Sequence, residues 1–574
     1  MRTRDLVLCL CLLAGPAAAA DGPEADAAMD AYGHAQDLRQ KANKITMGAS
    51  PAPGELETAA GYLNEALEFL ATPEVQERAA GNLFLYARRG DVLRDLAGAY
   101  ALMGRRDDAL RQLELMAQES WSPPVAKWLR ADNRLASIRD EPRFKAVVEA
   151  LELPDRLWKV PNIATPYSES LTLEERIAGL SLFWAEARAG FAYFDHVPDL
   201  QWDRVYLEYL PRVMSAKTTA DYYRVLMQLA PLLHDGHTNI YPPKELQSKF
   251  FSRPALSTGR IGDGVYVRRV YATSLQARVH PGDEIVAIDG TPVMRYAREV
   301  VDPFVSSSTP QDRDVRDFGY QLLLGDEDTP VTLALRDASG AVRDEVIPRK
   351  HGDDVSYPEP FPFRKIGDVA YLSIDHFDGD AGVKAFEKAL PEILASKALV
   401  LDVRRNGGGS TSYAQQVLSY LIPGPLPEAK QRIRAETPWF RAIGSTALMW
   451  RPSPFSGYPV DLKRKVHFDG PVALLIGPET FSAAEDFVMI FAAARRGILV
   501  GAPTAGSTGQ PMAFGLPGGG TARICIKRDT YPDGREFVGK GIAPDVAVAM
   551  TVEDLRAGKD PVLDRAVAEL QKPR

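Results

Sequence analysis

The chain has 574 residues, 45% of them apolar and 25% charged, the composition of an ordinary globular protein with room for about four domains. Its formal net charge of −8 argues against a general affinity for nucleic acid or an anionic membrane surface.

The first twenty residues read as a secretory signal. Arg2 and Arg4 precede the apolar run Leu6 to Leu13, and Ala17-Ala-Ala-Ala20 offers small residues for cleavage. The run is too short to span a bilayer, and no later stretch is long and apolar enough, so the mature chain is expected to lack a membrane span. Cys9 and Cys11 would leave with the signal. Cys525 would remain alone, within the alternating run Arg523-Ile-Cys-Ile526, as a core residue. Export without an internal disulfide fits a periplasmic or secreted protein.

Residues 24–160 carry helical periodicity. Asp91 to Tyr100 and Asp108 to Met116 flank a turn at Gly104, with small and large apolar residues at helical spacing on either side. The pattern resembles a tetratricopeptide helix pair, and a plain helical bundle gives it equally well. The segment offers a docking surface for a protein partner and no evident chemistry. Leu153 to Ser168, with Pro154, Pro161 and Pro166, reads as a linker. Residues 166–255 turn helical again from Leu171 to Leu233.

Residues 256–350 read as a β-rich module. Gly264 to Val270 and Val331 to Arg336 are strand-like, and His280-Pro-Gly-Asp283 precedes a short strand that ends at Asp289-Gly290. This order resembles a PDZ domain, a class that binds extended peptide ends by strand addition. The insert Asp302 to Asp317 departs from a minimal domain of that kind. From 355 to 574, apolar runs at Val369–Ile374, Ala398–Val403, Val472–Ile476 and Ile498–Val500 alternate with helical patterns, which predicts an α/β core.

Three segments can carry chemistry. Ser482 follows the buried-strand pattern Val472-Ala-Leu-Leu-Ile476 and opens a helix at Ala483. A serine on a strand-to-helix turn exposes its hydroxyl beside the N–H groups of a helix start. The same residues, Ser482-Ala-Ala-Glu485, also spell a capping box. Leu401-Asp-Val-Arg-Arg-Asn-Gly-Gly-Gly-Ser410 ends a strand in three glycines, which let backbone N–H groups face a ligand. A phosphate loop would want Gly-Lys-Ser/Thr, which is missing here. Leu232-Leu-His-Asp-Gly-His-Thr-Asn-Ile240 holds two of the eight histidines. A histidine pair three apart can bind metal, but no third ligand lies nearby, so neither a metal nor a cofactor is expected.

Together these segments resemble the tail-specific, or C-terminal processing, serine peptidases, in particular the branch akin to the tricorn protease core. The motifs are Phe183-Trp184 with Tyr193-Phe194-Asp195, Asp235-Gly-His-Thr238, Asp402 with Asn406-Gly-Gly-Gly409, Thr480-Phe-Ser-Ala-Ala-Glu485, Gly501 with Thr504-Ala-Gly506, and Gly541-Ile-Ala-Pro-Asp545. The resemblance covers about residues 170 to 574. It implies a multidomain α/β protein with a PDZ-like module and a crotonase-like catalytic core. It implies a serine endopeptidase acting on peptides or unfolded proteins, with Ser482 as nucleophile and His237 as general base. The Ala483 N–H, with that of Gly407 or Gly408, would form the oxyanion hole. Ser507 stands where the lysine-using branch carries its lysine.

Two positions depart from the pattern. Gly236 replaces a serine that usually precedes the histidine, and Val538 replaces a usual glutamate. The group that orients His237 is therefore open among Asp235, Glu485, Glu536 and Ser507. A non-catalytic peptide- or ligand-binding protein on a peptidase scaffold is the alternative reading. An esterase or amidase using the same nucleophile is a third.

Overall fold

The structure is a computed structural model that describes residues 23–119, 122–158, 163–436, 438–445, 448–453 and 460–572. The secretory-signal segment lies outside these residues. The chain divides into two compact units, residues 1–162 and 163–574.

The first unit is helical. Helices Pro53–Leu70, Leu83–Leu102 and Arg106–Glu119 follow the long helix Pro23–Thr46, and Gly104, at φ +76°, makes the turn between the third and fourth of these. Leu63, Leu96, Leu113 and Leu129 belong to its own apolar core. Beneath them Asp95 is almost fully buried and accepts from Arg39, Arg134 and Asn43. The expected linker begins differently: Leu153–Trp158 is a short helix. Pro154 does not prevent it, because the first turn of a helix has no internal N–H partner to lose.

The second unit is built on a six-stranded sheet. Its strands are β8 (Phe363–Ile366), β9 (Val369–Ser373), β10 (Ala398–Asp402), β13 (Val472–Ile476), β14 (Ile498–Gly501) and β18 (Val546–Ala547), in the order β18-β14-β13-β10-β9-β8. All neighbours are parallel except β8 with β9. Every residue of β9, β10 and β13 is buried, because both faces are covered. On one face Leu372, Leu401, Leu474 and Ile476 pack with Phe386 and Phe487 of the helices Ala381–Leu394 and Ala483–Ala493. On the other, Tyr371, Val400 and Leu475 meet Val562 and Leu563 of the helix Pro561–Leu570. The continuous apolar runs in the sequence follow from this double coverage.

The β-rich module is an antiparallel sheet of β2 (Leu256–Ile261), β3 (Gly264–Val270), β4 (Glu284–Ile288), β6 (Val331–Arg336) and β7 (Val342–Ile347), with the two-residue β5 (Thr291–Pro292) paired to β4. Two smaller sheets complete the unit. In one, β1 (Asn239–Tyr241) and β15 (Pro511–Gly515) flank β16 (Thr521–Cys525); in the other, β12 (Met449–Pro452) and β17 (Lys527–Thr530) flank β11 (Lys430–Ala435). Cys525 is a free, fully buried thiol, in keeping with its alternating sequence context. No helix among the described residues is long and apolar enough to cross a membrane.

Leu474 sits at the centre of the sheet, paired on both sides and fully buried. Leu474→Ala is expected to destabilise the second unit by about 2–5 kcal/mol, measured as a lowered urea midpoint at unchanged slope.

Candidate active site

The buried strand β13 runs into Gly477-Pro-Glu-Thr-Phe481 and delivers Ser482 to the start of the helix Ala483–Ala493. Ser482 has φ 59° and ψ −126°, a region a side-chain-bearing residue occupies only when its surroundings compel it. Three hydrogen bonds do so. Phe481 N–H donates to the Asn406 carbonyl at 3.0 Å, Ser482 N–H to the Ser507 carbonyl at 3.0 Å, and Ala505 N–H to the Thr480 carbonyl at 3.0 Å. Thr480, fully buried, donates its hydroxyl to the Val403 carbonyl and accepts from Gly477 N–H.

The capping-box reading of Ser482 fails here. Its side chain makes no cap to the helix, because the strained backbone turns the hydroxyl outward. Glu485 does not reach back either. It is fully buried and accepts from the Thr504 hydroxyl at 2.5 Å, Gly506 N–H at 2.7 Å and Ser507 N–H at 2.6 Å. Burial pushes its carboxyl up to about 8, against the pull of those three donors.

His237 reaches the serine from 245 residues away. Its loop is tied down by Asp235, which accepts the Thr238 hydroxyl at 2.7 Å. Thr238 in turn accepts from Cys525 N–H, and the chain continues into β1 against β16. The imidazole is 2% exposed and stacks on Phe481 with centroids 4.4 Å apart. Nε2 lies 2.9 Å from Ser482 Oγ and Nδ1 lies 3.0 Å from Ser507 Oγ. Burial pushes His237 well below its usual value, and the charges of Arg523, Arg316 and Lys527 push the same way. The imidazole is therefore neutral at neutral pH. With Nδ1–H donated to Ser507, the lone pair on Nε2 faces the Ser482 hydroxyl.

Of the four candidates for the neighbour of His237, the structure brings only Ser507 into contact. Glu485 stands one step behind it, holding the Ser507 backbone. Asp235 is spent on Thr238 and on Ser308. Glu536 is 39% exposed and pairs with Arg528 and Lys540. Val538 is buried among core residues. The space beside Gly236 explains the first departure noted in the sequence: a Cβ there would lie 2.9 Å from Ser507 Oγ. The Ser507 hydroxyl thus occupies the volume that a side chain at 236 would fill.

The glycine loop approaches the serine closely. Gly408 has φ +99°, and a Cβ there would fall 2.6 Å from Ser482 Cβ, so only glycine fits. Its N–H, however, donates to Asn406 Oδ1 at 2.9 Å, which removes Gly408 from the two oxyanion candidates. Asn406, fully buried, is itself fixed by the Ile374 carbonyl. Among the described residues the N–H groups of Gly407 and Ala483 have no protein acceptor, and Gly407 borders open space. Sequence reasoning missed the contact of Phe481 with His237. Its place immediately before Ser482 was the available signal.

A nucleophilic hydroxyl on a strained elbow, a neutral imidazole in contact with it and free N–H groups alongside define a serine hydrolase site. Residues 368–548 match the model of peptidase family S41. The fold is similar to that of mature CPAF complexed with lactacystin, at 16% identity and a TM-score of 0.56 over 70% of this chain and 98% of that one. A photosystem II D1 C-terminal processing protease aligns at 20% identity and a TM-score of 0.42, over 66% of this chain and 94% of that one. The chain is a serine peptidase whose residues 368–548 form a segment of the S41 type.

The raised carboxyl of Glu485 has a consequence for stability. An acid whose folded value, about 8, exceeds its open-chain value of 4.5 contributes stability that is full below the open-chain value and is lost as pH rises through the folded one. The melting temperature of the wild type is expected to fall more steeply between pH 5 and pH 8.5 than that of Glu485→Gln. Parallel profiles would mean that Glu485 ionises in the fold as it does in the open chain.

Proposed function

We propose that the protein is an exported endopeptidase that cleaves peptides or unfolded proteins through an acyl-enzyme on Ser482, with His237 as general base. The observation that carries this reading is the 2.9 Å contact between Ser482 Oγ and His237 Nε2 at a residue held in a strained conformation.

In this mechanism His237 Nε2 takes the Ser482 proton as Oγ attacks the scissile carbonyl, and returns it to the leaving amine. The N–H groups of Ala483 and Gly407 receive the negative charge that develops on the carbonyl oxygen. Removing one such donor typically costs about 100- to 1,000-fold in rate. Ser507 keeps Nδ1 as the donor nitrogen and so presents the lone pair of Nε2. The β-rich module of 256–350 acts as a PDZ-like grip on an extended chain, feeding the crotonase-like core. The apolar segment at residues 6–13, followed by small residues, supports export to the periplasm or beyond. The helical unit serves as a docking surface for a protein partner.

One observation favours the alternative of a binding protein. Among the described residues no carboxylate bonds to His237, and the charges of three cations act on it, so the imidazolium formed during catalysis is poorly compensated. Labelling of the purified protein with a fluorophosphonate separates the two. Wild type is expected to label and Ser482→Ala and His237→Ala are not. A folded wild type that never labels would move the assignment to a binding scaffold.

The pH dependence follows from the lowered histidine. The base works only when neutral, so the labelling rate is expected to hold as pH falls through 6.5, the usual histidine value, and to decline only below it. Ser507→Ala is expected to slow labelling at least about tenfold by releasing the ring, since small displacements of a base are costly.

A further inference from the structure

The insert Asp302 to Asp317 in the β-rich module has no part in the mechanism above, yet it touches the loops that carry His237, Phe481 and Ser507. Ser308 Oγ accepts from Gly236 N–H at 2.9 Å, next to His237. Thr309 donates its hydroxyl to the Ala505 carbonyl at 2.7 Å, and Gln311 donates to the carbonyls of Thr504 at 3.0 Å and Lys540 at 2.9 Å. The bonds to Thr504 and Ala505 hold the loop that carries Ser507. The short helix Pro310–Val315, capped by Thr309, then leads to Arg316.

Arg316 is mostly buried, and its Nε donates to Asp312 Oδ1 at 2.6 Å. Asp312 is itself buried and fixed by Ser308 N–H. So restrained, the guanidinium lies over the ring of Phe481, 4.9 Å from its centroid. The same ring carries the His237 imidazole, with planes only 17° apart. A Cβ on Gly236 would meet Arg316 Nη2 at 3.0 Å, so the guanidinium also packs against the backbone beside the base. Arg316 and His237 thus both pack on the ring of Phe481, and a guanidinium packs on an aromatic ring in a way that an ammonium does not.

We infer that Arg316 is a positioning residue: it presses Phe481 against the imidazole of His237 and fixes the orientation of the base toward Ser482. Phe481 cannot yield on its backbone side, because its N–H is tied to Asn406. The insert therefore completes the active site rather than decorating the module. This rests on His237 being the base. The cations that act on His237 are Arg316 from the insert, Arg523 from β16 and Lys527 from β17; the acids nearby are Asp235 in its own loop, Asp312 paired to Arg316 and Glu485 behind Ser507. Removing the Arg316 cation leaves the other two cations and shifts the histidine upward in pH.

The test is the pH dependence of the fluorophosphonate labelling rate in Arg316→Gln and Arg316→Lys. R316Q is expected to label at least about tenfold more slowly at pH 7.5, with its acid limb displaced to higher pH. R316K, which keeps the charge and loses the plane, is expected to slow labelling with the limb unmoved. A wild-type rate in R316Q, or a slow R316Q with an unmoved limb, would overturn the inference, the latter because loss of structure alone explains it. Should R316Q fail to fold, Phe481→Leu, which keeps the Arg316–Asp312 pair, is expected to slow labelling several-fold, and a wild-type rate there overturns the inference equally. Absence of labelling in the wild type itself would instead refute the assignment of Ser482 and His237.

Discussion

The structure turns on the backbone of Ser482. A residue with a side chain at φ 59° is unfavourable by about 1–3 kcal/mol, and it persists here because its flanking amides are committed elsewhere. The amides of Phe481 and Ser482 and the carbonyl of Thr480 are bonded to three different positions in two loops. Those loops follow β10 and β14, the strands on either side of β13. The parallel sheet therefore positions the elbow and also supplies the partners that hold it strained.

Electrostatics in the site follow from exclusion of water. Burial is the largest cause that lowers His237, and the neighbouring cations push the same way. The carboxyl of Glu485, three residues after Ser482, is placed behind Ser507 and not on the imidazole. Its work is to gather the amides of 506 and 507 and the Thr504 hydroxyl, which sets where the Ser507 hydroxyl points. A hydroxyl can fix the tautomer of a histidine, but it brings no negative charge to offset the imidazolium. The departure at Gly236 belongs to the same arrangement, since the hydroxyl from 507 fills the space beside it.

The site is assembled from segments far apart in the chain: 234–238, 404–410, 480–486 and 504–508, with the insert at 308–316 behind them. Each supplies one or two groups, and none is complete alone. Such a site is sensitive to how the β-rich module packs on the core, because the insert bonds directly to the loops of His237 and Ser507. The ring of Phe481, on which both Arg316 and His237 pack, is a further such connection.

Much of this was legible in the sequence. Buried strands at 369–373, 398–402 and 472–476 announce themselves as unbroken apolar runs, because a parallel strand covered on both faces has no polar side to show. The glycine loop, Ser482 and His237 stand out because short-range patterns mark them: a strand running into a turn, three successive glycines, a polar stretch before a strand. The roles within those segments were not legible. Nothing in Gly407-Gly408 says that Asn406 takes the second N–H and leaves the first. Nothing in Ser482-Ala-Ala-Glu485 says that the glutamate turns away from the helix start. Ser507 and Arg316 lie 270 and 79 residues from His237, and no local period reports where a side chain points across such a separation. Local sequence determined which elements form and which residues can react. Packing of the loops against one another decided which donors are free, which group touches the base and what holds it, because those depend on directions and distances that only the closed tertiary structure sets.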